Sequence, residues 1–260
     1  MFLRDQIAIV TGGAKGIGRA VSIALAKEGA DLMLVARDAA ALSEVAREVA
    51  SLGRTVEVAT ADVGDAQAME NVAKQFRRSF GERADILVNT SGVPGPIETP
   101  LQNVDVDAFE HVMRVNVTGT FLAMKYFVPI MIENRRGRII NIGSNSGRGG
   151  YPNRIGYAAS KWAVRGMTRT AAVELGKYGI TVNCINPGIV DGARMQTLCS
   201  ERARVRGVSE DVIRREYVSS QAIAQVTSEA DVAAVVVYLA SEAATNITGQ
   251  DINIDGGWRL

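Results

Sequence analysis

The stretch Ile7-Ala8-Ile9-Val10-Thr11-Gly12-Gly13-Ala14-Lys15-Gly16-Ile17-Gly18 decides the fold. Its first five residues form an apolar run of strand length, and the residues from Arg19 onward read as an amphipathic helix, so the glycines occupy a strand-to-helix turn. Gly12, Gly16 and Gly18 permit a tight turn and let a ligand approach the main chain closely. The helix start beyond them offers unpaired N–H groups and the positive end of the helix dipole to a phosphate. A glycine pattern alone says little. This one has a strand before it, a helix after it and stands in the first βα unit, the context in which such a turn cradles a pyrophosphate.

Outward from this turn the alternation repeats. Short apolar runs lie at 7–11, 31–36, 55–59, 86–88, 138–142, 181–185 and 251–254. Their hydrophobicity is continuous rather than alternating, which suits strands covered on both faces and hence a parallel sheet. Intervening stretches such as 19–29 and 40–52 read as helices, with Gly29 and Gly53 as stops. The pattern is α/β and doubly wound, and without a Pro/Ser-rich linker, repeat or low-complexity stretch residues 1–260 are expected to form one domain. Segment 191–225 breaks the rhythm: it is charged, Arg-rich and without a strand signal. Its length predicts a substrate-binding lid, with an exposed helical excursion as the plainer alternative.

Composition narrows the function classes. A hydrophobic fraction of 47% and a charged fraction of 22% are those of an ordinary globular protein. The 29 basic and 28 acidic residues are interspersed and leave a net charge of +1, so no nucleic-acid partner is expected. The chain opens Met-Phe-Leu-Arg-Asp without an apolar leader, and no run reaches eighteen apolar residues, which predicts no membrane partner and a cytoplasmic location. Cys184 and Cys199 lack CxxC spacing and His111 is the one histidine, so no metal site is expected. Cys184 falls in an apolar run and reads as a small buried side chain.

The chemistry concentrates near the middle of the chain. Tyr157 and Lys161 are four apart and share a helix face. A cation beside a phenol favours the phenolate and brings its pKa down from ~10 toward the working pH, which makes Tyr157 a general acid/base. Ser144, thirteen residues before Tyr157, is placed to polarise a carbonyl oxygen, and Asn116 stands upstream. Asp62-Val63 follows the third strand, where a carboxylate accepts either from an adenine amino group or, as a cap, from the main chain. Between Ser144 and Tyr157 lie Arg148, Tyr151 and Arg154. A guanidinium suits an anionic substrate group there, and solvated loop arginines are equally common.

Seven elements in order resemble the short-chain dehydrogenase/reductase family: Thr11-Gly12-x-x-x-Gly16-x-Gly18, Asp62-Val63, Asn89-Thr90-Ser91-Gly92, Asn116, Ile142-Gly143-Ser144, Tyr157-x-x-x-Lys161 and Pro187-Gly188. The resemblance runs from the first strand to the last. It implies a single Rossmann-like domain with a seven-stranded parallel sheet flanked by helices, a nicotinamide cofactor, and hydride transfer between a small-molecule carbonyl and a secondary alcohol. It implies Tyr157 as acid/base, Lys161 as its electrostatic partner and a ligand of the nicotinamide ribose, Ser144 rather than Ser146 on the substrate oxygen, and Asn116 holding a relay water. For the cofactor it implies contacts from Gly12, Lys15, Gly16, Ile17, Gly18, Asp62, Val63, Asn89, Ser91, Gly92, Pro187, Gly188 and Val190 as well. His111 lies outside every matching motif and reads as a surface or subunit-contact residue.

Two departures stand out. The family's usual Asn-Asn-Ala-Gly is here Asn89-Thr90-Ser91-Gly92, and a Thr that bonds the carboxamide in many members is replaced by Asp191, leaving the main chain around Val190 for that task. Family members are commonly tetramers through segments that map to 104–134, 157–176 and 248–260, which implies a homotetramer. Cofactor choice turns on the end of the second strand. An NAD site places a carboxylate there for the ribose 2′-hydroxyl, and this chain has Ala36, followed by Arg37, with Lys15 nearby. NADP(H) is therefore expected, with NAD(H) as the alternative if Asp38 reaches the ribose. A catalytically inactive nucleotide-binding regulator on the same fold would be free to lose Ser144, Tyr157 or Lys161, and all three are present. The dehalogenase-like lyases built on this scaffold replace the active-site Lys by Arg and erode the glycine motif, whereas Lys161, Gly12, Gly16 and Gly18 stand.

Overall fold

The structure, a computed structural model, describes residues 1–258. Seven strands, β1 (Ile7–Thr11), β2 (Asp31–Ala36), β3 (Val56–Thr60), β4 (Ile86–Asn89), β5 (Gly137–Ile142), β6 (Ile180–Pro187) and β7 (Asp251–Ile254), form one parallel sheet in the order β3-β2-β1-β4-β5-β6-β7. This is the doubly wound sheet expected from the sequence. Strand order reverses between β1 and β4, and in such sheets ligands bind at the carboxyl ends of the strands beside that switch point. β6 is longer than its apolar run because both neighbours pair along it, Gly137 with Ile180 and Pro187 with Ile254.

Both faces of the sheet are covered, which explains the unbroken apolar runs. Ala8 and Val10 of β1 and Leu32 and Leu34 of β2 pack on helices α1 (Gly16–Lys27), α2 (Ala39–Ser51) and, further along the chain, α9 (Glu229–Ala240). Ile9, Met33 and Val35, the alternate residues, face α3 (Ala66–Phe80), α5 (Gly119–Glu133) and α6 (Ile155–Leu175). Gly29 and Gly53 stand just past α1 and α2 with φ of +101° and +74°, the left-handed turn that ends a helix and that a Cβ would strain. Cys184 is fully buried in β6, and burial pushes its thiol up to about 12, so it behaves as an apolar side chain.

One helical run is more apolar than the sequence reading allowed. α4 (Val106–Met113) continues through a π-turn, Arg114–Thr118, into α5, and Val106–Glu133 is long and apolar enough by length and composition to cross a membrane. More than half of its apolar window is buried inside the molecule, where Leu122, Phe127 and Ile130 pack beneath the sheet. Core burial accounts for its composition.

Segment 191–225 is a helix pair, α7 (Ala193–Arg206) and α8 (Glu210–Ser219). Met195, Cys199 and Ala203 of α7 meet Ile213 and Tyr217 of α8 in a small core of their own. The base of the excursion is pinched by a parallel bridge between Val190 and Thr227.

Candidate active site

The glycine turn is built by close approach. A Cβ on Gly12, where φ is +73°, would lie 2.7 Å from Thr90 Oγ1, and one on Gly18 would lie 2.0 Å from the Gly12 carbonyl oxygen. Glycine is the residue that fits at both. Thr90 accounts for its own departure from the family pattern: its hydroxyl donates to the Thr11 carbonyl at 2.6 Å and ties the end of β4 to β1. Because α1 starts at Gly16, the N–H groups of Gly16, Ile17 and Gly18 have no partner within the helix and are free for an anion.

A cavity of about 560 Å³ opens beside this turn, bordered by Lys15, Arg37, Asp62, Val63, Ser91 and Gly92. Asp62 accepts from the Gly64 N–H and from Arg114, both at 2.9 Å. Partial burial raises its carboxyl, and these two donors outweigh that and hold it below the ordinary range. At the end of β2, Ala36 carries no charge and Arg37 is exposed beside it. Asp38 caps α2, accepting from the Ala41 N–H at 3.0 Å, and pairs with Lys15 at 2.6 Å. The Lys15 hydrogen bond, then the Ala41 N–H, hold its carboxyl low. Asn89 stands outside the lining of this cavity: its side chain donates to Asn141 Oδ1 at 2.8 Å and accepts from Thr11, a buried polar ladder across three strands.

A second cavity, about 570 Å³, continues from the first past Lys15, Thr90 and Arg194. Ser144, Tyr157, Lys161, Pro187, Gly188 and Val190 lie on its walls. Lys161 is buried on α6, donates to the Ile142 carbonyl at 2.7 Å and stands 5.7 Å from the Tyr157 ring centre. Ser144, at the end of β5, accepts from the Ser146 N–H at 3.2 Å and donates to Asn145 Oδ1 at 3.4 Å, on the same cavity wall as Tyr157. Burial pushes the Tyr157 phenol up, but the cations of Lys161, Arg194 and Arg154 and the polar hydroxyl of Ser144 together hold it below its usual value. Burial also lowers Lys161, and the Tyr157 phenolate opposes that.

Asn116 sits in the π-turn beneath this cluster, outside both cavity linings. Its Oδ1 accepts from the Val93 N–H at 2.8 Å, and its Nδ2 donates to the Val93 carbonyl at 3.1 Å and to Ser160 Oγ at 3.0 Å. Ser160 in turn donates to the Tyr157 carbonyl at 2.7 Å. The bridge at Val190 uses the carbonyl of Ile189 and the N–H of Asp191, so the main-chain groups of Val190 itself stay outside that ladder. Asp191 pairs with Arg214 at 3.2 Å. His111 is exposed on α4 against Arg114 and borders neither cavity.

Two residues gain prominence that spacing did not give them. Arg194, from α7, donates to the Gly92 carbonyl at 2.7 Å where the two cavities meet. Ser160 links Asn116 to the Tyr157 turn. The only sequence sign of Arg194 was the arginine-rich character of 191–225.

A switch-point cleft with a glycine turn at one end and an acidified tyrosine beside a buried lysine at the other defines a nicotinamide-dependent oxidoreductase. The short chain dehydrogenase family matches residues 6–203. The chain belongs to that family, whose members exchange a hydride between nicotinamide and an alcohol or ketone. It is 34% identical over 257 residues to a D-beta-hydroxybutyrate dehydrogenase of Rhizobium meliloti, covering 97% of this chain and 98% of that one. Among solved structures it superposes on an NAD+-bound xylitol dehydrogenase with a TM-score of 0.94 and 30% identity, over 99% of this chain and 100% of that one. An actinorhodin polyketide ketoreductase with NADPH matches at a TM-score of 0.91 and 29% identity, over 96% of each chain. Likeness extends to structures with either coenzyme and so does not choose between them.

Proposed function

We propose that this chain interconverts a small ketone and its secondary alcohol with Tyr157 as the proton donor and acceptor, and that it works with NADP(H). The observation that carries the reading is the lowered phenol of Tyr157, set between Lys161 and Ser144 on the wall of a cavity continuous with the glycine turn. The residues at the turn fit a dinucleotide: a Cβ at Gly12 or Gly18 has no room, and the first N–H groups of α1 are free. When bound, the nicotinamide ring supplies or takes the hydride.

The chain's own groups do the rest. Ser144 donates to the carbonyl oxygen and orients it toward Tyr157. Tyr157 gives that oxygen its proton in reduction and removes it in oxidation. Lys161 stabilises the phenolate left behind, and its remaining donors would be available to hold the ribose. Asn116 contributes by position, because its side chain is committed to Val93 and Ser160; a relay water would have to use the second lone pair of its main-chain carbonyl, which already accepts from Thr120 at 2.9 Å. The Val190 main chain, whose groups stay outside the ladder to Thr227, would hold the carboxamide in place of the Thr that other members carry. The α7–α8 pair, whose Arg194 reaches Gly92, serves as the lid over the substrate. A panel of ketones and secondary alcohols, followed by nicotinamide absorbance with both coenzymes, tests the reading. Absence of turnover across the panel would sink it.

Coenzyme choice follows from charge at the end of β2. No carboxylate stands at Ala36, and the one close by, Asp38, is tied to Lys15 and to the start of α2. Arg37 is exposed and unpaired among the described ion pairs, ready for a 2′-phosphate. A charged hydrogen bond governs roughly a ten- to hundredfold change in affinity, so Arg37→Ala is expected to weaken NADPH by that factor and to leave NADH nearly unchanged. A higher kcat/KM with NADH in the unmodified protein would refute the assignment.

A homotetramer in the cytoplasm completes the proposal. Val106 and Phe121 on the 106–133 helical run and Trp162 and Val173 on α6 are large, apolar and exposed, on two of the three segments expected in subunit contacts. Of the third, 248–260, Arg259 and Leu260 lie outside the described residues. Both cysteines are free, as in reducing compartments. Light scattering should give a mass about four times that of the 27.7 kDa chain; a stable monomer at micromolar concentration would overturn the assembly.

A further inference from the structure

Four arginines surround the substrate end of the cleft, and three of them are engaged or solvated. Arg148 pairs with Asp255 at 3.0 Å and does not border the cavity. Arg202 pairs with Glu98 at 2.5 Å, and its guanidinium lies against the rings of Tyr151 and Tyr217 at 5.5 and 5.0 Å. Arg194 is exposed at the junction of the two cavities and donates to Gly92.

Arg154 is different. It is 6% exposed, borders the substrate cavity and has no carboxylate partner among the described residues. Its one hydrogen bond runs to the Pro94 carbonyl at 3.1 Å, and its Nε is buried with no partner at all. The guanidinium is stacked on Tyr157, 4.7 Å from the ring centre. A buried charge without a counter-charge is costly, and a cation–π contact returns only part of that cost. While the Tyr157 phenol keeps its proton, the guanidinium has no counter-charge beside it and the cavity it borders has room for one.

We propose that Arg154 is the anion anchor of the substrate site and that the substrates are oxo acids and the corresponding hydroxy acids. The inference rests on the reading of this cavity as the carbonyl site and adds the substrate class to it. Guanidinium and carboxylate pair through two parallel hydrogen bonds, and the donors Arg154 has unspent suit that geometry. The stack fixes the spacing. With the guanidinium 4.7 Å from the Tyr157 ring centre, a carboxylate held by Arg154 and a carbonyl held by the Tyr157 phenol are joined by a short carbon spacer. Ile97, Met195 and Leu198 border the same cavity and offer apolar surface to an alkyl remainder.

The test compares 2-oxobutanoate, 3-oxobutanoate and 4-oxopentanoate with their methyl esters, in the unmodified enzyme, Arg154→Gln and Arg154→Lys. The unmodified enzyme should favour at least one acid over its ester. Arg154→Gln should lower kcat/KM for that acid by about ten- to a hundredfold more than for the ester, chiefly through KM, and Arg154→Lys should recover part of the loss because it keeps the charge. Equal losses on acid and ester would overturn the proposal, since Arg154 would then act through Tyr157 alone. Turnover of esters and neutral ketones with acids refused would overturn it while leaving the carbonyl reading intact. Failure on every carbonyl compound would overturn both. Thermal melts of the two variants separate a lost contact from a lost fold.

Discussion

Tyr157→Phe is expected to lower turnover by about 10²- to 10⁴-fold, the range for loss of a positioned acid/base. The substitution keeps the ring, and with it the stack under Arg154 and the approach of Lys161, while removing the transferable proton. Ser144 keeps its bond from the Ser146 N–H and can still hold a carbonyl oxygen, so substrate binding survives better than chemistry. Coenzyme affinity, measured by fluorescence titration, should stay close to that of the unmodified enzyme, because the glycine turn and Lys161 are untouched. A variant that kept normal turnover would move the proton donor to another group on the same wall.

The frame of the fold was legible in the sequence because each part of it repeats a simple physical demand. Strands covered on both faces read as unbroken apolar runs, glycines at 12 and 18 mark where a Cβ would strike main chain or Thr90, and Gly16 marks a left-handed φ of +56°. The pair Tyr157 and Lys161 was legible for a similar reason: helical spacing alone puts them on one face. What stayed hidden depends on contacts between distant segments. Arg194 acts on the site through Gly92, 102 residues away in sequence. Arg154 acquires its meaning from the Pro94 carbonyl, 60 residues earlier, which holds the guanidinium over the ring. Helices α7 and α8 bury mainly each other rather than a face against the sheet, through narrow stripes at 195, 199 and 203 and at 213 and 217 set among charged residues. The polar ladder from Thr11 through Asn89 and Asn141 to Thr168 is invisible for the opposite reason, since buried asparagines in strands look like loop residues until their partners are seen. Asn116 belongs with them: its amide is spent on pinning Val93 to the Ser160 turn, a placement set by the π-turn and not by any spacing.

Lys161→Met separates the electrostatic part of this site from its architecture. Methionine fills nearly the same volume, so the packing of α6 against β5 changes little. Two effects on stability oppose each other. Removing a buried ammonium relieves a desolvation penalty of several kcal/mol, while the Ile142 carbonyl loses the donor at 2.7 Å and an unpaired buried acceptor costs about 1–3 kcal/mol. The melting temperature should therefore stay near that of the unmodified protein. Activity should not. Among the groups acting on Tyr157, Lys161 is the strongest of those that lower its phenol, against a burial that raises it. Without that cation the phenol rises, and at neutral pH the oxidation direction lacks the phenolate it needs as base. Alcohol oxidation, which increases with pH as the phenol ionises, should have its rising limb displaced to more alkaline pH, with a loss at neutral pH of about 10²-fold or more. Coenzyme affinity should fall as well if Lys161 also holds the ribose, which distinguishes this variant from Tyr157→Phe. A pH profile with an unmoved limb would show that Arg194, Arg154 and Ser144 set the acidity of Tyr157 without Lys161.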